Sequence, residues 1–255
     1  MLFNSTIFGP VKSRRLGISL GINLLPNDAK ICSFDCIYCE CGYNSVAKNA
    51  HIPTREEVRL ALEAKLSAMK TAGECPDVLT FAGNGEPTLH PDFEGIIDDT
   101  IALRNRFFPE AKVTVLCNSS EICKDDVFRA LNKVDNNTLK LDSAIFSTVE
   151  ALNRPNSPRF SLEKLIENLK RFRGNLIIQT MFVRGKHEGK TIDNTTETEI
   201  SAWLAALREI KPKQVMIYTI ARKTPEKNLQ KISLQELNKI ADRAKENGFE
   251  LQVSG

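Results

Sequence analysis

The run Leu16-Gly17-Ile18-Ser19-Leu20-Gly21-Ile22-Asn23-Leu24-Leu25, then Pro26–Lys30, then Ile31-Cys32-Ser33-Phe34-Asp35-Cys36-Ile37-Tyr38-Cys39 sets how the rest of the chain reads. Its first half is an apolar, strand-forming segment. Its second half spaces three thiols as Cys-x3-Cys-x2-Cys, with an aromatic residue just before the last one. Three thiolates on one short loop can hold three irons of a 4Fe–4S cube and leave the fourth iron without a protein ligand. A structural zinc ion wants four protein ligands, and clusters that only pass electrons usually have four cysteines. The competing reading is a zinc knuckle completed by Cys41 or His51. Such sites usually pair two separated ligand hairpins, and the second pair is missing here.

The bulk properties narrow the setting. A chain of 255 residues suits one large domain or at most two small ones. Its 42% hydrophobic content supports a full core, and 26% charged residues suit a soluble surface. No stretch approaches the roughly 18–20 apolar residues of a membrane span, so no membrane partner is expected. The start, Met1-Leu2-Phe3-Asn4-Ser5-Thr6, lacks a charged segment followed by an apolar one, and no secretory signal is expected. Seven cysteines, three of them crowded into eight positions, do not read as a disulfide framework. They point to metal binding in a reducing compartment, hence the cytoplasm. A net charge of +3 neither indicates nor excludes nucleic-acid binding.

Strand-like runs alternate with amphipathic helices along the chain. Leu16–Leu25 is followed by expected strands at Asp77–Phe81, Lys112–Cys117, Thr138–Leu141, Asn175–Phe182 and Gln214–Tyr218, with a short edge at Glu250–Val253. Between them, Thr54-x-x-Glu57 opens a helix carrying Val58, Leu62, Leu66 and Met69 on one face, with Gly73 past its end. Further helical stripes run through Phe93–Phe108, Leu162–Phe172 and Ile200–Ile210, and Ser233-x-x-Glu236 opens a last helix ending at Gly248. Repeated strand–helix units imply an α/β fold, a parallel sheet with outer helices. About six units are too few for a closed eight-stranded barrel. One domain is expected over 1–255, with a core at about 7–222 and a C-terminal helix and edge strand within 233–255. In parallel α/β architectures ligands lie at the C-terminal ends of strands. The polar punctuation falls there, at the cysteine loop, Gly83–Glu86, Asn118-Ser119-Ser120, Asp142-Ser143, Arg184–His187 and Thr219–Lys223.

A second motif, Thr80-Phe81-Ala82-Gly83-Asn84-Gly85-Glu86-Pro87-Thr88, joins the cysteine loop. Together they resemble the radical S-adenosylmethionine (SAM) enzymes, whose hallmarks are the Cys-x3-Cys-x2-aromatic-Cys loop and a Gly-Gly-Glu-Pro segment. The resemblance implies a partial (β/α)6 TIM-like barrel and two cofactors, a 4Fe–4S cluster on Cys32, Cys36 and Cys39, and SAM. It implies that the open iron chelates SAM and that one electron, from a donor such as flavodoxin or ferredoxin, cleaves it to methionine and a 5′-deoxyadenosyl radical that abstracts hydrogen from a substrate. It also places Tyr38 beside the adenine, Gly83, Gly85 and Glu86 near the SAM amino group, Asn118 at the SAM carboxylate and Asp142 at the ribose. Each has a plainer reading: a packed aromatic for Tyr38, a strand-to-loop turn for Gly83–Pro87, a loop amide or Asx turn for Asn118 and Asp142. Ile178 and Ile217-Tyr218 are core positions that can also flank an adenine. No residue is assigned a catalytic role.

Phe8–Gly17, Glu40-Cys41-Gly42, Gly83–His90, Asn153-Arg154-Pro155 and Gln179–Gly185 make the chain similar to the iron–sulfur proteins grouped with the tRNA wyosine-synthesis radical SAM enzymes. Those enzymes carry further cysteines upstream of the SAM loop; here no cysteine precedes Cys32. Three functions therefore stand open: modification of a tRNA, activation of a glycyl-radical enzyme as partner protein, and a non-catalytic metal-binding module. Ser13-Arg14-Arg15, Arg154, Arg184, Arg222 and Lys223 suit an anionic, phosphate- or carboxylate-bearing substrate. Cys41, Cys75, Cys117 and Cys123 are scattered, and no second cluster is expected from them. His90, before Pro91 at a helix start, reads as structural.

Overall fold

A computed structural model describes residues 2–13, 16–46 and 51–255. The chain forms two compact units, Met1–Cys32 with Asn44–Cys117 and Glu121–Asn137, and Ser33–Tyr43 with Asn118–Ser120 and Thr138–Gly255.

In the first unit β1 (Ile7–Ser13) pairs antiparallel with β2 (Gly17–Ile22), whose other edge runs parallel to β3 (Val78–Phe81); β3 is in turn parallel to β4 (Lys112–Cys117). The expected first strand is therefore shorter than Leu16–Leu25. The strand before it carries Pro10 in mid-run, which removes a ladder donor and masks a strand at an edge. At Gly21 a Cβ would lie 2.1 Å from the Phe8 ring, so glycine on β2 leaves room for that ring, which stacks on Phe3. All four β3 residues are buried, as expected of a parallel strand covered on both faces.

Helix α1 (Arg55–Thr71) starts at the Thr54–Glu57 capping box and buries Val58, Leu62, Leu66 and Met69. Full burial of each such leucine contributes about 1.5–3 kcal/mol, more than local propensity supplies, so the apolar stripe decides this helix. Helix α2 (Phe93–Phe107) packs against α1, β4 and α3 (Asp125–Lys133). The short α3 shows only Val127, Ala130 and Leu131 to the core, too brief a stripe to stand out in the sequence.

Strand β5 (Asn136–Lys140) leads the chain into the second unit. There α4 (Phe146–Asn153), α5 (Leu162–Lys170) and β6 (Ile177–Met181) follow, then the hairpin β7 (Val183–His187) and β8 (Lys190–Asp193). Next come α6 (Glu197–Ile210), β9 (Gln214–Tyr218), β10 (Leu229–Lys231), α7 (Leu234–Glu246) and β11 (Leu251–Ser254). Strands β5, β6, β9 and β11 lie side by side and parallel, with Leu139 opposite Ile178, Ile178 opposite Val215, and Val215 opposite Leu251. Trp203 of α6 is buried and donates to Thr180 Oγ1 at 3.0 Å, fixing that helix on β6.

One expectation changes. Arg184–His187, read as a loop after the fifth strand, is β7, which pairs antiparallel with β8 and β10 in a separate small sheet. Its hairpin turns at Glu188 and Gly189, both at positive φ (49° and 77°), the backbone that tight two-residue hairpins require. The charged, partly exposed residues of β7 and β8 carry no core pattern from which a strand can be read.

Candidate functional site

The cysteine loop is held by different partners in each unit. On the first, Ile31 N donates to Asn84 O at 2.9 Å and Glu86 N donates to Ile31 O at 3.1 Å, a short parallel bridge between Ile31 and Gly85. This fixes the backbone leading into Cys32, whose carbonyl also accepts from Asn44 Nδ2 at 3.0 Å. Gly85 has φ 140°, and a Cβ there would lie 1.7 Å from Ile31 O; Gly83, at φ 150°, would meet Asn23 Oδ1 at 2.4 Å. Gly85 thus lets the two backbones approach, and Gly83 leaves room for the Asn23 side chain. Asn84, the residue that interrupts a plain Gly-Gly-Glu-Pro, is fully buried: its Nδ2 donates to Phe3 O and Pro26 O at 2.8 and 2.9 Å, and its Oδ1 accepts from Phe3 N. Glu86 is 2% exposed, and its Oε1 accepts from Thr88 N (3.1 Å) and Thr88 Oγ1 (2.6 Å), capping the 3-10 turn Pro87–Leu89. His90 is structural as expected: it is buried, with Nε2 2.8 Å from Pro53 O.

In the second unit the end of α4 holds the loop. Asp35 N donates to Asn153 O (3.0 Å), Ile37 N donates to Leu152 O (3.1 Å), and Phe34 bridges Pro155. Cys39 N closes a turn onto Cys36 O at 3.1 Å. Asn118, after β4, donates from Nδ2 to Ser33 Oγ at 2.8 Å and accepts the Ser120 N–H at 2.9 Å.

Behind Cys36 and Tyr38 lies a buried polar network. Tyr38 donates its hydroxyl proton to Asp142 Oδ2 and accepts from Lys140 Nζ. Lys140 Nζ also lies 3.3 Å from Asp142 Oδ2, and Met181 N donates to Asp142 Oδ1 at 2.8 Å. The amide of Asn153 donates to Asp142 Oδ2 (2.6 Å) and points at the Cys36 sulfur (3.4 Å). Burial opposes the charge on Lys140, but the neighbouring Asp142 carboxylate outweighs it and keeps the ammonium charged well above the ordinary lysine range. Burial, reinforced by the same carboxylate, raises the Tyr38 phenol, which keeps its proton. Burial also pushes the Cys36 thiol up, while the Lys140 ammonium works in the opposite direction. Asp142 Oδ1 accepts the one Met181 donor and has capacity for a second, while the side chain as a whole is buried.

The residues present fit an iron–sulfur cluster. None of the seven cysteines forms a disulfide, the three in question lie on an irregular loop, and Cys36 has an amide donor and a cation beside it. Hydrogen-bond donors and cations behind a ligating thiolate orient it and offset its charge. Among the described residues no three His, Cys, Asp or Glu side chains already sit together as a metal-ion site. The expectation that Cys32, Cys36 and Cys39 are ligands is carried by their spacing in the sequence.

Sequence reasoning missed Lys140, Asn153 and Asn23 as parts of the site. Lys140 had a signal: with Asp142 it falls two apart at the end of a strand, on one face. Asn153 stands out only as part of the Asn153-Arg154-Pro155 stretch, with nothing to tie it to Cys36, and Asn23 has no signal. Of the basic candidates, Arg184 is engaged by Glu236 (2.8 Å) and Asp193 (3.4 Å), and Arg222 by Glu40 (2.6 Å). Arg14 and Arg15 lie outside the described residues. Ile178 and Ile217 are wholly buried strand residues.

A cysteine loop after a strand, a glycine-rich turn pinned to it, and parallel strands under helices define a class, and the chain belongs to it: residues 27–198 match the family model of the radical SAM superfamily. It is an enzyme of that superfamily, whose cofactors are a 4Fe–4S cluster and SAM. The chain is similar to UPF0026 protein MJ1312 of Methanocaldococcus jannaschii, 32% identical over 240 residues that cover 91% of this chain and 69% of that protein. Among solved structures it is similar to a radical SAM methyltransferase from Sphaerobacter thermophilus, with TM-score 0.67, 14% identity, and coverage of 92% of this chain and 65% of that one. It is also similar to TYW1 with a lysine–pyruvate adduct bound, with TM-score 0.62, 15% identity, and coverage of 90% and 73%. The chain thus spans just under two thirds of the methyltransferase. The expected fold class, α/β with a partial (β/α)6 TIM-like barrel, is the one these structures share with it. No helix among the described residues is long and apolar enough to cross a membrane.

Proposed function

We propose that this chain binds a 4Fe–4S cluster through Cys32, Cys36 and Cys39 and reductively cleaves SAM to a 5′-deoxyadenosyl radical that abstracts hydrogen from an anionic substrate. The observation that carries the reading is the Cys-x3-Cys-x2-Cys spacing inside the matched family segment. When bound, the cluster supplies the electron for SAM cleavage; flavodoxin or ferredoxin replenishes it. This chain's own residues place the reactants and exclude side reactions. Gly83 and Gly85 let the backbone approach the SAM amino group, and Glu86 supplies a carboxylate for it. Tyr38 lies beside the adenine, Asn118 serves the SAM carboxylate, and Asp142 serves the ribose.

The chain works as one domain over 1–255, supported by a family match that runs through both compact units. Seven cysteines with no disulfide between them support a reducing, cytoplasmic setting. Modification of a tRNA is the favoured substrate class, supported by the sequence resemblance to the wyosine-synthesis group and by the polyanionic character of RNA. Residues 1–31 hold no cysteine of the kind those enzymes carry upstream, and the proposal names tRNA as a substrate class without the wyosine reaction. An activase acting on a glycyl-radical partner is the other outcome of the same test. The test is anaerobic incubation of the reconstituted protein with SAM and dithionite, followed by assay for 5′-deoxyadenosine, with label transfer from tRNA and from protein pools. The wild type forms 5′-deoxyadenosine and Cys36→Ala does not. Turnover by Cys36→Ala with four irons retained would refute the proposal.

A further inference from the structure

The segment that holds Cys36 also opens a second site. Arg154 follows Asn153 directly, at the C-terminus of α4, in the left-handed conformation at φ 47°. A non-glycine residue held there costs about 1–3 kcal/mol, a strain that recurs at ligand sites. Its guanidinium lies over the Tyr43 ring, 5.2 Å from the centroid, with Nη1 3.5 Å from His187 Nε2. His187 Nδ1 is 2.8 Å from Glu226 Oε2. A carboxylate only accepts, so Nδ1 carries a proton toward Glu226, while Nε2 faces Arg154 and lies 3.7 Å from the exposed Glu188 Oε1. Tyr43 and the Glu226–His187 pair therefore hold the guanidinium fork in place from two sides.

Arg154 forms no ion pair with a carboxylate among the described residues, whereas Arg184 and Arg222 both do. It lines, with His187, a cleft of about 570 Å³ between α4 and the β7–β8 hairpin. The carboxylates on this cleft do not neutralise it from within. Asp193 is engaged by Arg184 (3.4 Å) and by Thr195 N (2.8 Å). Glu150 and Glu188 are exposed at the rim, where water screens them; Glu188 Oε1 lies 3.7 Å from His187 Nε2, and the exposed Lys190 brings a cation to the same rim. An immobilised, unpaired guanidinium on the inner wall of a polar cleft is matched by a planar or tetrahedral oxyanion, which takes two of its N–H groups at once.

The geometry points to this cleft as the oxyanion subsite of the substrate, with Arg154 binding a phosphate or carboxylate group and His187, Glu226 and Tyr43 positioning it. The inference rests on the proposed function and deepens it: it names the chemistry of the substrate group that docks one residue away from the side chain facing Cys36.

The test titrates the anaerobically reconstituted full chain with inorganic phosphate and, separately, with acetate, by calorimetry. Wild type binds at least one of the two saturably. Phosphate without acetate marks a phosphate-bearing group, acetate without phosphate a carboxylate-bearing one. Arg154→Asn, which keeps a residue tolerant of the left-handed backbone, weakens that binding at least about tenfold. Lys190→Ala, at the rim, changes it by less than about twofold. Far-UV circular dichroism and iron content of Arg154→Asn stay at the wild-type level. No saturable binding of either anion to wild type, or equal affinity in Arg154→Asn, would overturn the inference. Loss of 5′-deoxyadenosine formation by wild type with anion binding intact would instead count against the proposed function and leave the subsite standing.

Discussion

The side-chain amide of Asn153 joins the Cys36 sulfur, 3.4 Å away, to the Asp142 carboxylate, 2.6 Å away. One neutral residue therefore links a thiol on the cysteine loop to a wholly buried anion. Removing it leaves Asp142 and the Tyr38 hydroxyl each short of a donor in a place that water does not reach. Leaving a buried charged group unsatisfied costs about 1–3 kcal/mol or more. Asn153→Leu, with the same branching and number of side-chain heavy atoms, is expected to lower the unfolding free energy read from the urea midpoint by about that amount, and Asn153→Asp by more, because it adds a second carboxylate beside Asp142. A midpoint unchanged in both variants would show that the network carries no stability.

Gly85 makes a separate prediction, about backbone approach. An alanine there would place Cβ 1.7 Å from Ile31 O at φ 140°, whereas at Gly73, past the end of α1, nothing lies within 4 Å of the added atom. Gly73→Ala carries only the left-handed backbone cost, about 1–2 kcal/mol. Gly85→Ala also breaks the bridge that leads into Cys32, so it is expected to cost more than Gly73→Ala in thermal melts and to lower iron incorporation on reconstitution. Equal melting temperatures and equal iron content for the two variants would contradict this.

The same comparison shows what could be read from the chain. Strands β4 and β9 and the capped helices α1 and α7 lie where the apolar periods and capping boxes place them, because burial and caps leave local marks. The cysteine spacing and the Gly83–Pro87 turn were likewise visible, since few other residues tolerate such positions. Strand β1 was hidden by its Pro10, and the β7–β8–β10 sheet by a surface without an apolar face. Asn153 and Asn23 were hidden for another reason. An asparagine's role depends on what lies across space from it, and Cys36 is 117 residues away along the chain.

Acid stability should show the charge cluster on the first unit. The Arg129 guanidinium and Lys133 ammonium hold the Glu94 carboxyl down at about 2. In the unfolded chain a glutamate titrates at about 4.3. A folded value below the unfolded one gives stability that is present above about pH 4.3 and is lost as pH falls toward 2. Glu94→Gln is expected to flatten the fall in melting temperature over that window while leaving the neutral-pH slope unchanged. An identical acid profile for the variant would remove Glu94 from the account.

The account depends most on an iron that the polypeptide leaves open for SAM. The most direct measurement is the electron paramagnetic resonance spectrum of the anaerobically reconstituted, dithionite-reduced protein, recorded before and after SAM is added. The account predicts a reduced 4Fe–4S signal in wild type whose g-values move on adding SAM, and no such signal in Cys36→Ala. A signal in wild type that is unchanged by saturating SAM, with four protein ligands on the metal, would contradict it.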